Sequence, residues 1–311
     1  MDSVKIVTLT VSPALDKSTH FKGLVPEQKI HCNTPRFDAG GGGINVSKAI
    51  ARLGSNSMAV FTSGGPTGKL LEELVYKEAI AFQAVPIASW TRESFVAVDD
   101  NTNLQYRFGF SGGSISELEE ANLLTTIAAL QPHFFVLSGS TLEGLSTTFY
   151  QKIAQIASQN SSKLIVDTSG EALQKVLATG AYLIKPNVGE LAKLIGVERL
   201  ELEEVRAAAR QLLSQNNVAI VVVSLGPQGA ALVTATDYVF VPAPTVVKKS
   251  TVGAGDSMVG GMVWALSQNL SLQDVIRWGV ACGSAATMNE GTQLFKQEDA
   301  LRLFAWLKEK E

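Results

Sequence analysis

Asp256 stands at the end of a run of small residues, Ser250-Thr251-Val252-Gly253-Ala254-Gly255, and apolar residues at helical spacing follow it: Met258, Val259, Met262, Val263 and Leu266. The pattern describes a loop running into a helix. Unpaired amides of the first turn and the positive end of the helix dipole attract an anion. A carboxylate beside such an anion is placed to take a proton from a hydroxyl that attacks a phosphoryl group. The same residues also fit an ordinary glycine-rich turn with an aspartate in the first helical turn, where the dipole favours it. The rest of the chain has to separate the two.

Residues 39–47, A-G-G-G-G-I-N-V-S, form the second unusual segment. Four consecutive glycines cost conformational entropy, so a packed fold keeps them where the backbone must come close to something. If that is a ligand, Asn45 is placed to bond its hydroxyl or carbonyl; a flexible loop is the other reading. A dinucleotide fingerprint fits poorly: the run comes near residue 40, after a non-helical insertion, and no P-loop lysine motif is present. In K-P-N-V-G-E, at 185–190, Pro186 restricts Lys185 to extended backbone, Asn187 caps a helix and Glu190 completes a capping box. Asn187 and Glu190 also suit phosphates and a hydrated Mg²⁺, which takes few direct protein ligands.

The apolar strand ending at Ser224 turns through Leu225-Gly226-Pro227-Gln228-Gly229. A nucleotide can lie over the carboxyl end of such a strand; a plain hairpin is the other reading. Arg92 and Arg107 flank a predicted hairpin and suit a phosphate. Asp16 follows the first strand, where an aspartate holds ligand hydroxyls or caps a turn.

Composition narrows the classes. Of 311 residues, 46% are hydrophobic and 18% charged, enough for a sizeable core and against disorder. A net charge of −3 without a basic block argues against nucleic acid as a partner. Two cysteines, Cys32 and Cys282, make no disulfide framework, and His20, His31 and His133 lack metal-cluster spacing. There is no G-x-S-x-G elbow. The N-terminus reads as a strand without a signal-peptide core, and no apolar run reaches membrane-spanning length. The expected location is the cytoplasm, with no membrane partner.

The elements that must carry these residues alternate. Strands are predicted over 5–11, 57–62, 133–137, 163–167, 182–184 and 219–224. Helices are predicted over 43–53, 68–78, 116–130, 146–158, 187–195, 201–214, 255–267, 271–288 and 297–308. Continuous apolar strands alternating with helices predict a parallel sheet covered on both faces. Residues 18–37 and 94–110 break the rhythm. The second reads as a hairpin around Asp-Asp-Asn-Thr-Asn; the two can pair into a small sheet outside the main domain, such as a lid over a cleft, or stand as two surface hairpins.

In this order the segments resemble the PfkB family of ribokinase-like sugar kinases. A-G-G-G-G-I-N-V-S resembles its first signature, S-T-V-G-A-G-D-S-M-V-G-G its second and more specific one, and K-P-N-V-G-E its N-x-x-E motif. The resemblance runs from residue 4 to about 308. Within the family, T-L-T-V-S-P-A-L-D, W-T-R at 90–92, Q-Y-R-F at 105–108 and V-V-S-L-G-P-Q-G-A at 222–230 resemble members that phosphorylate fructose 6-phosphate at C1. Gly42 points the same way, because kinases of fructose 1-phosphate and tagatose 6-phosphate tend to carry a lysine there; they are the alternatives. From other classes, a non-catalytic sugar-phosphate or nucleotide sensor and an NAD-linked oxidoreductase fit less well.

The resemblance implies a Rossmann-like α/β/α domain over 1–311, with β-sheet lid segments at about 16–37 and 90–110, dimerising through the lids. Asp256 is then the catalytic base, and the amides of Gly253, Ala254, Gly255 and Asp256 are the anion hole. Asp16, Gly41, Gly42 and Asn45 hold the sugar; Lys29, Arg92, Arg107 and Ser140 surround its phosphate. Lys185, Asn187, Ser224, Gly226 and Gly229 face ATP, and Asn187 and Glu190 the Mg²⁺ through water. Ser250, Val252, Ala286, Asn289 and Gly291 form a K⁺ loop. Two departures stand out: the family's S-G-S-L-P-P-G is S-G-S-T-L-E-G at 138–144, and Gln293 replaces a basic residue beside the cation loop.

Overall fold

In the computed structural model, which describes residues 5–310, apolar strands and amphipathic helices alternate from β1 onward. The chain runs through β1 (Ile6–Thr10), β2 (Ala14–Phe21), β3 (Arg36–Gly40), α1 (Gly42–Arg52), β4 (Met58–Ser63), α2 (Gly65–Lys77), β5 (Ala81–Pro86), β6 (Arg92–Asp99) and β7 (Leu104–Gly109). It continues through α3 (Glu117–Leu130), β8 (Phe134–Ser138), α4 (Phe149–Gln159), β9 (Lys163–Asp167), α5 (Gly170–Leu177), β10 (Ala181–Ile184), α6 (Val188–Leu194) and α7 (Val205–Gln215). It closes with β11 (Val218–Ser224), β12 (Ala230–Val233), β13 (Tyr238–Val241), α8 (Ala254–Ser267), α9 (Leu272–Thr287) and α10 (Gln297–Glu309). The ends of the expected 1–311 domain, residues 1–4 and 311, lie outside the described residues.

The main sheet has nine strands in the order β13-β12-β11-β10-β9-β8-β1-β4-β5. From β11 to β5 all neighbours are parallel; β12 and β13 add antiparallel at one edge. Side-chain alternation splits the core between the two faces. Phe135 and Leu137 of β8 pack with α3, α4, α5, α6 and α7, while Phe134 and Val136 pack with α1, α8, α9 and α10. The result is three layers, α/β/α, as the alternating pattern predicts.

A separate four-stranded sheet, in the order β3-β2-β6-β7, gathers the segments that broke the rhythm. Its strands start earlier than the periodicity predicted, at Ala14 and Arg92, and β3 continues to Gly40, into the glycine run. The hairpin β6–β7 turns at the expected place, with Asn103 left-handed at φ 57°. Strand β5, the helix α5 and the edge hairpin β12–β13 were not predicted. Among the described residues no helix is long and apolar enough to cross a membrane.

The chain order reverses beside β1, which has β8 on one side and β4 on the other. In a doubly wound sheet the crevice at the carboxyl ends of such strands is where ligands bind. The glycine run, β2 and the ends of β8, β9 and β10 all converge there.

Candidate active site

The glycine run is the turn from β3 into α1, and its missing side chains are filled by other elements. A Cβ on Gly42 would lie 2.3 Å from Ser138 Oγ and 2.6 Å from the Gly139 nitrogen, and one on Gly40 2.2 Å from Asp16 Oδ2. Gly41, at φ 116°, holds a conformation that side chains rarely adopt. The run therefore packs α1 against the end of β8 and leaves room for the Asp16 carboxylate. It follows a strand of the small sheet and not β1, which sets it apart from a dinucleotide fingerprint.

That packing aims Asn45, in the first turn of α1, at the start of α8. Asn45 Nδ2 donates to Asp256 Oδ2 at 2.8 Å. Helix α8 begins after Gly253, which is left-handed at φ 73° and where a Cβ would strike Leu294 Cδ2 at 2.5 Å. Among the described residues, the amides of Gly255 and Asp256 have no protein acceptor. They are the free donors that an anion would take.

Lys185 completes the cluster. Its ammonium is buried, lies 3.0 Å from Asp167 Oδ1, and stands 3.6 Å from the point where a Gly255 Cβ would be. Burial alone would lower its pKa; Asp167 overrides this, with Asp256 and Glu190 adding to it, and the lysine stays charged. Asp256 goes the other way. Burial pushes its pKa to about 7, the Asp167 and Asp16 charges push in the same direction, and the Asn45 bond and Lys185 oppose them. A carboxyl poised near neutrality, beside free amides and a fixed cation, suits general-base chemistry.

Asp16 projects from β2 itself and not from a turn after β1. Burial raises its pKa to about 6, against the charges of Lys48 and Arg92 and a hydrogen bond from Ser94, while Asp38 adds to the rise. Arg92 opens β6 and lines a pocket of about 260 Å³ with Ser12, Ser140, Thr141, Gly112 and Glu143. Its Nε is buried without a protein partner. Register pairs Asp16 with Ser94 and Val96 with Arg107, so Arg107 shares the Asp16 face of the small sheet. Lys29 lies on the exposed loop between β2 and β3. Neither Arg107 nor Lys29 has a protein hydrogen bond or ion pair among the described residues.

On the other side of Asp256, Asn187 caps α6 in the expected capping box: it accepts from the Glu190 amide, and Glu190 Oε2 accepts from the Asn187 amide, both at 2.9 Å. Asn187 and Ser224 sit side by side in an isolated bridge between the ends of β10 and β11. Gly226 is exposed at a hairpin turn. Gly229 is buried, and a Cβ there would lie 2.1 Å from the Val241 carbonyl oxygen, so packing against β13 accounts for that glycine by itself. The segment before α8 is tied to the end of α9 and the loop after it, with Ser250 Oγ donating to the Gly291 carbonyl at 2.9 Å and the Ser250 amide to Thr287 O at 3.2 Å; within the second segment the Asn289 amide donates to Ala286 O at 3.2 Å. Val252 donates its amide to Ser250 Oγ at 3.2 Å.

The residue that the sequence reading missed is Asp167. An acid closing an apolar strand looks ordinary in sequence, and only the adjacency of β9 and β10 brings it to Lys185. Its position at a strand's carboxyl end was the available signal.

A doubly wound α/β domain with an acid and free helix amides at its switch point, and a second small sheet that brings Arg92 to a nearby cavity, has the fold of the ribokinase-like kinases. The sequence profile of the pfkB family carbohydrate kinases matches residues 9–299, and the chain belongs to that family. It is 40% identical, over 98% of its length and 99% of the relative's, to ATP-dependent 6-phosphofructokinase isozyme 2 of Escherichia coli. The structure of phosphofructokinase-2 from Escherichia coli in complex with potassium superposes with a TM-score of 0.94 at 40% identity, covering 98% of this chain and 99% of that one. A tetrameric inhibited form of the same enzyme has a TM-score of 0.93 at 39% identity, with 98% and 99% covered. A 1-phosphofructokinase of Borreliella burgdorferi is 31% identical over 91% of this chain and 92% of its own length.

Proposed function

We propose that the protein is an ATP-dependent 6-phosphofructokinase, which transfers the γ-phosphoryl group of ATP to the C1 hydroxyl of fructose 6-phosphate. The products are fructose 1,6-bisphosphate and ADP, and the step belongs to glycolysis in the cytoplasm. The observation that carries the reading is Asp256, with a pKa near 7, held by Asn45 beside the free amides of α8 and the Lys185 ammonium. The identity to the 6-phosphofructokinase, higher than to the 1-phosphofructokinase, favours fructose 6-phosphate as the acceptor.

In the step itself, the C1 hydroxyl proton passes to the Asp256 carboxylate as the C1 oxygen bonds to the γ-phosphorus. The bond from that phosphorus to the β,γ-bridging oxygen breaks, and ADP leaves with its electron pair. The free amides of Gly255 and Asp256, with Lys185, hold the charge on the transferring group, while the Ala254 amide donates to the Thr251 carbonyl at 3.4 Å and Gly253 shapes the turn. Asp16, Gly41, Gly42 and Asn45 orient the furanose, and Arg92, Ser140, Arg107 and Lys29 take its phosphate. Lys185, Asn187, Ser224 and Gly226 line the nucleotide side, with Gly229 shaping the turn.

Mg²⁺ fits at Asn187 and Glu190: Glu190 keeps one carboxylate oxygen outside the capping box, and its charge reaches Lys185. An ion held there would take most of its ligands from phosphates and water. When bound, it neutralises charge on the phosphates. K⁺ fits the tied loops of Ser250, Val252, Ala286, Asn289 and Gly291, whose donors are mainly backbone carbonyls, and would stiffen the segment leading to the anion hole.

The four-stranded sheet serves as a lid in this reading, within one kinase domain over 1–311. Its face opposite Asp16 exposes Leu104 and Phe108, and the loop after β2 exposes Leu24 and Val25. A second copy covering that face makes the expected homodimer. ADP release tests the reading: fructose 6-phosphate is expected to turn over with a kcat/KM at least ~100-fold above that of unphosphorylated fructose, since the Arg92 pocket is unfilled without a phosphate. Equal turnover of the two would remove the sugar-phosphate reading.

A further inference from the structure

We infer that Glu143 is a specificity-determining residue of the Arg92 pocket, an electrostatic brake on the binding of a phosphate ester there. This rests on the kinase reading above. Arg92 and Glu143 line the same cavity of about 260 Å³. In a space that small the two charges act on one occupant within about a Debye length, ~8 Å at physiological salt.

The two walls differ in how they are held. Arg92 faces Asp16 on one side, and its buried Nε has no partner. Glu143 is exposed and fixed at the rim by its neighbours. Leu142 before it is buried. Its own carbonyl accepts the Ile115 amide at 2.9 Å. Gly144 after it is left-handed at φ 86°, and a Cβ there would lie 2.3 Å from the Ile115 oxygen. With its carbonyl bonded to Ile115, Glu143 is held where it lines the cavity. Among the described residues the Glu143 carboxylate has no hydrogen bond or ion pair to neutralise it.

A phosphate dianion entering the cavity is therefore drawn by Arg92 and repelled by Glu143. A neutral sugar feels neither strongly. The product keeps the same phosphate, so the brake weakens its hold as well and speeds its release.

Glu143→Gln is expected to raise kcat/KM for fructose 6-phosphate by about 3- to 10-fold in low salt, through a lower KM. Glu143→Lys is expected to raise it further. The gain should shrink to less than about 2-fold near 0.5 M salt, and kcat/KM for unphosphorylated fructose should not follow it. Calorimetry with inorganic phosphate on the ADP-saturated protein reads the same effect without turnover: its Kd falls in the order wild type, Gln, Lys. If phosphate Kd and the KM for fructose 6-phosphate are unchanged or rise in both variants, the brake is overturned while the kinase reading stands. If the wild type does not use fructose 6-phosphate, the kinase reading fails and the phosphate titration still decides on Glu143.

Discussion

Asp256→Asn is expected to lower kcat by about 10³- to 10⁴-fold, with the KM for ATP changed little and the fold intact. The amide can still accept from Asn45 Nδ2, which now donates to Oδ2 at 2.8 Å, so the local geometry has no reason to collapse. In the wild type the base must be ionised. Its pKa of about 7 then predicts that kcat/KM for the sugar rises with pH and levels off above that value. In the variant this limb disappears.

The same substitution carries a stability signature of opposite sign. The folded pKa lies above the ordinary carboxylate value, 3.8, so between about 4 and 7 the folded state keeps a proton that the unfolded state has lost. Stability contributed by this group falls as pH rises through that window, and above it the ionised carboxylate stands as a cost. The bare shift corresponds to ~4 kcal/mol, and solvent in the cleft reduces it to ~1–2 kcal/mol. Asp256→Asn is therefore expected to raise Tm by about 2–5 °C at pH 8 and by almost nothing at pH 4. A melting curve with no gain at pH 8 would show that the carboxylate is not held against its charge.

Lys185→Met is the second large effect. The lysine makes the buried ion pair with Asp167 at 3.0 Å and faces the free amides of α8. Removing one partner of a buried pair costs about 3–5 kcal/mol, and loss of a donor to the transferring charge costs about 10²- to 10³-fold in kcat. Lys185 also favours the ionised form of Asp256, so the acid limb of kcat/KM is expected to move to higher pH. The double variant Lys185→Met with Asp167→Asn separates the roles. It should recover much of the stability, because no carboxylate is left unpaired, and little of the rate. Recovery of the rate along with the stability would make Lys185 a structural residue.

Much of the site was legible because its signals are local. A glycine run, a capping box and an acid at a helix start are each written within a few residues, and the structure brings Asn45, Asp256 and Lys185 together. What escaped is tertiary. Asp167 matters only because β9 and β10 are neighbours; Gly42 was named from the sequence, but its packing on the end of β8 shows only in the fold. Strand β5, A-F-Q-A-V-P, alternates weakly and ends in proline, while β12 and β13 span four residues each, too short for a period to show. Helix α5 has only eight residues, too few for a helical period to stand out, although Ser169 precedes it and Glu171 stands in its first turn.

The identity of the sugar is the centre of the account, and product analysis cannot settle it. Phosphorylating fructose 6-phosphate at C1 and fructose 1-phosphate at C6 gives the same bisphosphate. The decisive measurement is kcat/KM, side by side, for fructose 6-phosphate, fructose 1-phosphate and tagatose 6-phosphate at saturating ATP and Mg²⁺. Fructose 6-phosphate is predicted to lead the other two by at least ~10-fold. A lead for fructose 1-phosphate or tagatose 6-phosphate would contradict the assignment while leaving Asp256 as the base.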